Sequence, residues 1–77
     1  MDHEIKKLSK ILEEMNPYEE IFPDTKLIEE GILDSLTMVL LIGCIEKEFG
    51  IKVPEDELKI SNFETMGSIM KMIRILK

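Results

Sequence analysis

Residues 31–50 read GILDSLTMVLLIGCIEKEFG, from Gly31-Ile32-Leu33-Asp34-Ser35-Leu36 to Phe49-Gly50. This stretch decides the fold because it marks both ends of one helix. Gly31, three residues before the aspartate, signals a turn. Asp34 and Ser35 are both helix-start residues, since a side-chain oxygen there accepts from a backbone N–H that has no helical partner. From Leu36 to Phe49 there is no proline and one glycine, Gly43. A helix from about Ser35 to Glu48 follows, closed by Phe49 and Gly50. Its positive end stabilises an anion, a phosphate group included. Taken alone, Ser35 reads as a helix cap, and its neighbourhood decides whether it is more.

That helix carries more apolar surface than a small bundle buries. Leu36, Met38, Val39, Leu40, Leu41, Ile42, Cys44 and Ile45 encircle it, whereas a surface helix ordinarily buries one stripe. Met38, Leu41, Ile42, Ile45 and Phe49 share the face expected in the core. Cys44 is read as a small buried hydrophobe. A second stripe, Leu36, Leu40 and Gly43 with Thr37 and Val39 beside it, begins directly after Ser35. It is expected to stay open around Leu36 and Leu40, as a docking surface does.

Outward from this helix the chain is helical throughout. Ile5, Leu8, Ile11, Leu12 and Met15 fall at helical spacing and predict an amphipathic helix from about Asp2 to Asn16-Pro17. Pro17 to Leu33 is a long connection, of a length often functional. Ile21, Phe22, Leu27, Ile28 and Leu33 are placed to anchor it, with a short helical turn over Thr25 to Glu30. Ile51-Lys52-Val53-Pro54 is extended ahead of the proline. Pro54 then opens a short helix through Glu55, Asp56, Glu57 and Leu58. Ser61-Asn62-Phe63 is a break, and Thr65 caps a final helix whose core face is Met66, Ile69, Met70 and Ile73. The expected architecture is all-α: a four-helix bundle with a long first loop and a short third helix, one domain over residues 1–77.

Composition excludes several function classes. The chain has 77 residues, 44% of them apolar, and carries a net charge of −6. One small aliphatic core fits this length. The eight acids from Glu13 to Asp34 face a single base, Lys26, so nucleic acid is not an expected partner. Basic protein surfaces suit such a charge. No run is long enough to span a membrane, and with a lone cysteine the expected location is the reducing cytoplasm. One histidine, His3, and one cysteine cannot form a metal cluster, so no metal site is expected. Ser35 has no histidine or lysine base nearby in sequence, so no catalytic residue is assigned. If Ser35 takes part in chemistry, another protein acts on it.

At this point the chain resembles an acyl or peptidyl carrier protein over nearly its whole length. The resemblance rests on Asp34-Ser35-Leu36 in company with Leu27-Ile28-Glu29-Glu30-Gly31, Glu46-Lys47-Glu48-Phe49-Gly50, Ile51-Lys52-Val53-Pro54 and Phe63-Glu64-Thr65. It implies a carrier of acyl-carrier fold, not an enzyme. A phosphopantetheinyl transferase would attach 4′-phosphopantetheine covalently to Ser35, with Asp34 and Leu36 flanking. The arm would hold cargo as a thioester for a loading ligase and downstream transferases or synthases, the carrier acting as a monomer. The docking surface it implies comprises Thr37, Val39, Leu40, Gly43, Glu46 and Lys47. Fatty-acid carriers of the bacterial type tend to have acids at the start of this helix; here Thr37 and Leu40 stand there. That moves the chain towards aminoacyl, peptidyl and D-alanyl carriers. A specialised acyl carrier and an aminoacyl carrier both stay open, as does a helical binding module that uses the Leu36/Leu40 stripe without modification.

Overall fold

The computed structural model describes residues 2–77. Three α-helices form, α1 (Asp2–Met15), α2 (Ser35–Phe49) and α3 (Met66–Leu76), with single 3-10 turns at Glu55–Glu57 and Ile60–Asn62. No strand occurs among the described residues. α1 packs against both α2 and α3. Leu8, Ile11 and Leu12 of α1, Leu41 and Ile45 of α2, and Met66, Ile69, Met70, Met72 and Ile73 of α3 make the core, together with Phe63. The faces assigned from spacing are the ones turned to the core, with Ile5, Met15, Met38, Ile42 and Phe49 half-buried at its edge. Met72 extends the expected face of α3, lying three residues beyond Ile69 on the same side.

The long loop is pinned by its apolar residues. Ile21, Leu27, Ile32 and Leu33 are buried and Ile28 is half-buried, whereas Phe22 is exposed. The reason is local: the Phe22 N–H donates to Thr25 Oγ1 at 2.8 Å and the Thr25 N–H returns to the Phe22 carbonyl at 3.1 Å. This tight turn through Pro23 sends Thr25 inward in place of Phe22. The expected helical turn over 25–30 is a hydrogen-bonded turn that Gly31 stops. Ile32 N–H reaches the Leu27 carbonyl and Gly31 N–H the Ile28 carbonyl, with Gly31 at φ 76°. That is the paired pattern of a helix terminus closed by a left-handed glycine. Leu27 N–H also donates to the Glu64 carbonyl at 2.8 Å, tying the loop to the segment before α3.

The short third α-helix expected over 54–58 is not formed; 3-10 turns stand in its place. Pro54 supplies no cap hydrogen bond, and Leu58 at φ −82°, ψ 63° leaves the helical region. The Asn62 amide then donates to the Glu57 carbonyl at 2.7 Å, taking an acceptor that a continuing helix would need. The expected break at 61–63 is likewise occupied by the second 3-10 turn. At the far end, Glu4 pairs with Lys77 and Arg74, joining α1 to the end of α3.

Candidate functional site

The site is built on the start of α2. Asp34 has extended backbone and caps the helix: its Oδ1 accepts from the N–H groups of Leu36 at 3.1 Å and Thr37 at 3.0 Å. Thr37 completes the exchange by accepting the Asp34 N–H at Oγ1, 2.7 Å away. This reciprocal box satisfies donors that the first helical turn leaves open. The Thr37 N–H, then its hydroxyl, hold the Asp34 carboxyl below its ordinary range. A carboxylate so engaged is a poor proton acceptor. The Ser35 hydroxyl takes no part in this network. Ser35 occupies the first position of the helix and is exposed.

From Ser35 an uncharged surface runs down the open side of α2. Leu36 is 72% exposed, Val39 66% and Leu40 56%, while their neighbours Leu41 and Ile45 are at 0%. Gly43 continues the row, and a Cβ there would meet nothing within 4 Å. The first turn of the helix has no acid. Lys47, exposed, closes the row.

Two residues expected on this surface have other work. Thr37 is committed to the cap. Glu46 is half-buried, and its Oε2 accepts the Val53 N–H at 2.9 Å, fixing the extended segment beside α2. Cys44 is half-buried and packs against the core, on the side facing α1. Leu58 and Ile60 are further exposed apolar residues, on the 3-10 segment, that sequence reasoning does not single out. Their spacing, with Lys59 between, is that of any short amphipathic piece and carries no distinct signal.

No group of three or more metal-ligating side chains assembles among the described residues, and no described helix is long and apolar enough to cross a membrane. What the site offers is an accessible hydroxyl at the positive end of a firmly capped helix, beside an apolar face.

Comparison with known proteins agrees with that geometry. The family model described as "Phosphopantetheine attachment site" matches residues 6–73. The D-alanyl carrier protein of Bacillus velezensis is 40% identical over 55 residues, 71% of this chain and 70% of that protein. The acyl carrier protein of Acidothermus cellulolyticus is 31% identical over 68 residues, 86% of this chain and 79% of that protein. Among solved structures, a chain in a crystal structure of an FAD-dependent dehydrogenase superposes with a TM-score of 0.71 at 39% identity, covering 77% of this chain and 83% of that one.

Proposed function

Because this chain belongs to the phosphopantetheine attachment family of non-catalytic carrier proteins, we propose that Ser35 is its attachment serine and that its cargo is an aminoacyl group of the D-alanyl kind. The family binds 4′-phosphopantetheine covalently on a serine, and this chain has four: Ser9, Ser35, Ser61 and Ser68. Ser9 is half-buried on α1, and Ser68 is half-buried and engaged with Thr65 in the cap of α3. Ser61 is exposed but lies in a 3-10 turn of three residues. Ser35 alone combines exposure with the N-terminus of a long helix, where the charge of a phosphodiester is stabilised. Its hydroxyl, free of the cap, is the observation that carries the reading.

In this reading Ser35 Oγ would form the ester to the phosphopantetheinyl phosphorus as the pyrophosphate bond of coenzyme A breaks and 3′,5′-ADP leaves, its proton passing to a base on the transferase, since Asp34 is held as a hydrogen-bond acceptor. Asp34 and Thr37 keep the helix start in place around it. When bound, the arm supplies a thiol that holds cargo as an activated thioester. Leu36, Val39, Leu40, Gly43 and Lys47 form the face that the transferase, a loading ligase and downstream transferases meet. The uncharged first turn supports partners that read apolar contact, and the D-alanyl relative supports an aminoacyl cargo. Residues 1–77 act as one monomeric carrier domain in the cytoplasm. The two 3-10 turns hold the place of the short third member of the four-helix carrier fold.

The test is intact-protein mass after incubation with coenzyme A and a phosphopantetheinyl transferase. One phosphopantetheine should add to the wild type and to Ser61→Ala, and none to Ser35→Ala. Addition to Ser35→Ala would move the site elsewhere. An unmodified wild type that still binds a partner through Leu40 would favour the plain binding module.

A further inference from the structure

Gly43 stands in the middle of α2, and nothing within the chain calls for a glycine there. Its backbone is ordinary helix, since among the described residues only Gly31 and Gly50 take positive φ. A Cβ at Gly43 would meet nothing within 4 Å, so no neighbouring element approaches too closely for a side chain. Glycine inside a helix is nonetheless less stable than alanine. The helix is weakened at this point with no gain inside the molecule.

Helix periodicity places the gap. At about 100° per residue, Leu36, Leu40, Gly43 and Lys47 fall within about 60° of one another, and Gly43 lies roughly opposite the buried Ile45. Leu40, 56% exposed, stands about one turn before Gly43, and the exposed Lys47 about one turn after it. Between them the surface drops to bare backbone, whose N–H and carbonyl groups belong to the helix ladder. The floor of this notch therefore asks for no polar partner. Gly43 is eight residues beyond Ser35, about 12 Å along the axis. A standard interface covers about 800 Å² of each partner, a patch roughly 30 Å across. An enzyme that takes the Ser35 hydroxyl into its active site and docks along this side of α2 also covers Gly43.

We propose that Gly43 is a specificity-determining notch, in which the phosphopantetheinyl transferase seats an apolar side chain on the bare backbone between Leu40 and Lys47. The inference rests on the Ser35 assignment and the docking face proposed above. The occupant is apolar because Leu36 and Leu40 lead up to the notch, the first turn of α2 has no acid, and the floor offers no free donor or acceptor. Lys47 is the charge at the rim and suits a carboxylate beside that side chain. Any side chain at position 43 fills the notch from the carrier's side and holds the partner off the row. The substitution that strengthens the helix thus weakens docking. Gly43 is remote from the reacting hydroxyl, so the loss falls on KM and leaves kcat as it is.

The experiment follows conversion of the 77-residue apo-protein by a phosphopantetheinyl transferase with coenzyme A, read by intact mass. It compares the wild type with Gly43→Ala, Gly43→Leu and Gly67→Ala. Gly67 is an exposed glycine on α3 whose Cβ position has only Thr65 Oγ1 near it, at 3.6 Å, so it takes the same substitution away from α2. Thermal unfolding should show both alanine variants at least as stable as the wild type. Gly43→Ala should raise KM about fivefold and Gly43→Leu more than about tenfold, the range expected of an overfilled contact. Gly67→Ala should keep the wild-type KM. Unchanged KM in both Gly43 variants overturns the inference, as does a lower KM in Gly43→Leu, which a merely larger apolar face would give. An equal rise in Gly67→Ala also overturns it, by assigning the effect to helix stiffness. In each of these cases the added mass keeps Ser35 as the attachment site. A wild type that gains no mass overturns the Ser35 assignment, and this inference with it.

Discussion

Leu40 and Leu41 are adjacent leucines on one helix with opposite surroundings, and truncating each in turn tests the orientation of α2. Leu41 is at 0% exposure and Leu40 at 56%. Leu41→Ala removes a filled part of the core and should cost about 2–5 kcal/mol. A 77-residue chain at about 0.05–0.15 kcal/mol per residue has roughly 4–12 kcal/mol in total, so the loss is a large share of it. At about 4–8 °C per kcal/mol for a domain of this size, the thermal midpoint should fall by roughly 8–40 °C. Leu40→Ala surrenders only partial contact, and alanine is the better helix former, so the change should stay within about 1 kcal/mol. Thermal unfolding followed by far-ultraviolet circular dichroism separates the two outcomes. Equal losses, or the larger loss at Leu40, would mean that α2 is rotated by about 100°, one residue's turn, and that no open apolar face adjoins Ser35.

The glycines give a second, opposed pair of outcomes. Gly31 and Gly50 sit at φ 76° and 64°, with open space where a side-chain methyl would stand, so alanine there should cost about 1–2 kcal/mol from backbone strain alone. Gly43→Ala, inside α2, should instead gain about 0.5–1 kcal/mol. Denaturant midpoints of the three variants check this, and a gain at Gly31 or Gly50 would contradict the left-handed geometry. Acid sensitivity follows from Asp34 and Glu4, whose carboxyls lie below their ordinary values of 3.8 and 4.5; hydrogen bonds from Thr37 are the main cause for the first and the bond from Lys77 for the second. A depressed carboxyl stabilises the fold above its unfolded value and loses that contribution as pH falls through the folded one. The thermal midpoint should therefore hold above about pH 5 and decline below it. Asp34→Asn, which keeps a cap acceptor without the charge, and Glu4→Gln should each flatten part of the decline; an unaltered acid limb in both would assign it to other groups.

How much of the molecule is legible in its sequence depends on how local the deciding interaction is. The helices are legible because Leu8, Leu12, Leu41, Ile45, Ile69 and Ile73 repeat at helical spacing, and burial follows that period. The split of α2 into a core face and an open face is legible for the same reason. The 3-10 turns are not, because the Glu57 and Leu58 N–H groups bond only three residues back, to Pro54 and Glu55, and Leu58 then leaves the helical region, a choice with no distinct sequence signature. Phe22 lies outside the core because the Thr25 turn outweighs its hydrophobicity. Glu46 reads as a surface residue by its charge, although the Val53 N–H gives it a structural role that depends on how the segment after Gly50 returns along the helix.

At the adjacent pair Asp34 and Ser35 the structure adds most to the sequence. Either residue is a competent cap, and sequence alone leaves both roles open to both. If Ser35 held the first turn, esterifying its oxygen would remove an acceptor from the backbone and loosen the helix that carries the proposed docking face. With Asp34 and Thr37 holding each other's backbone N–H groups, the cap is complete without Ser35. The phosphodiester proposed for Ser35 would then add charge at the favourable end of the helix dipole and unmake no existing bond. The backbone of α2 should accordingly be the same before and after modification, so that partners distinguish the states of the carrier by the arm and its cargo.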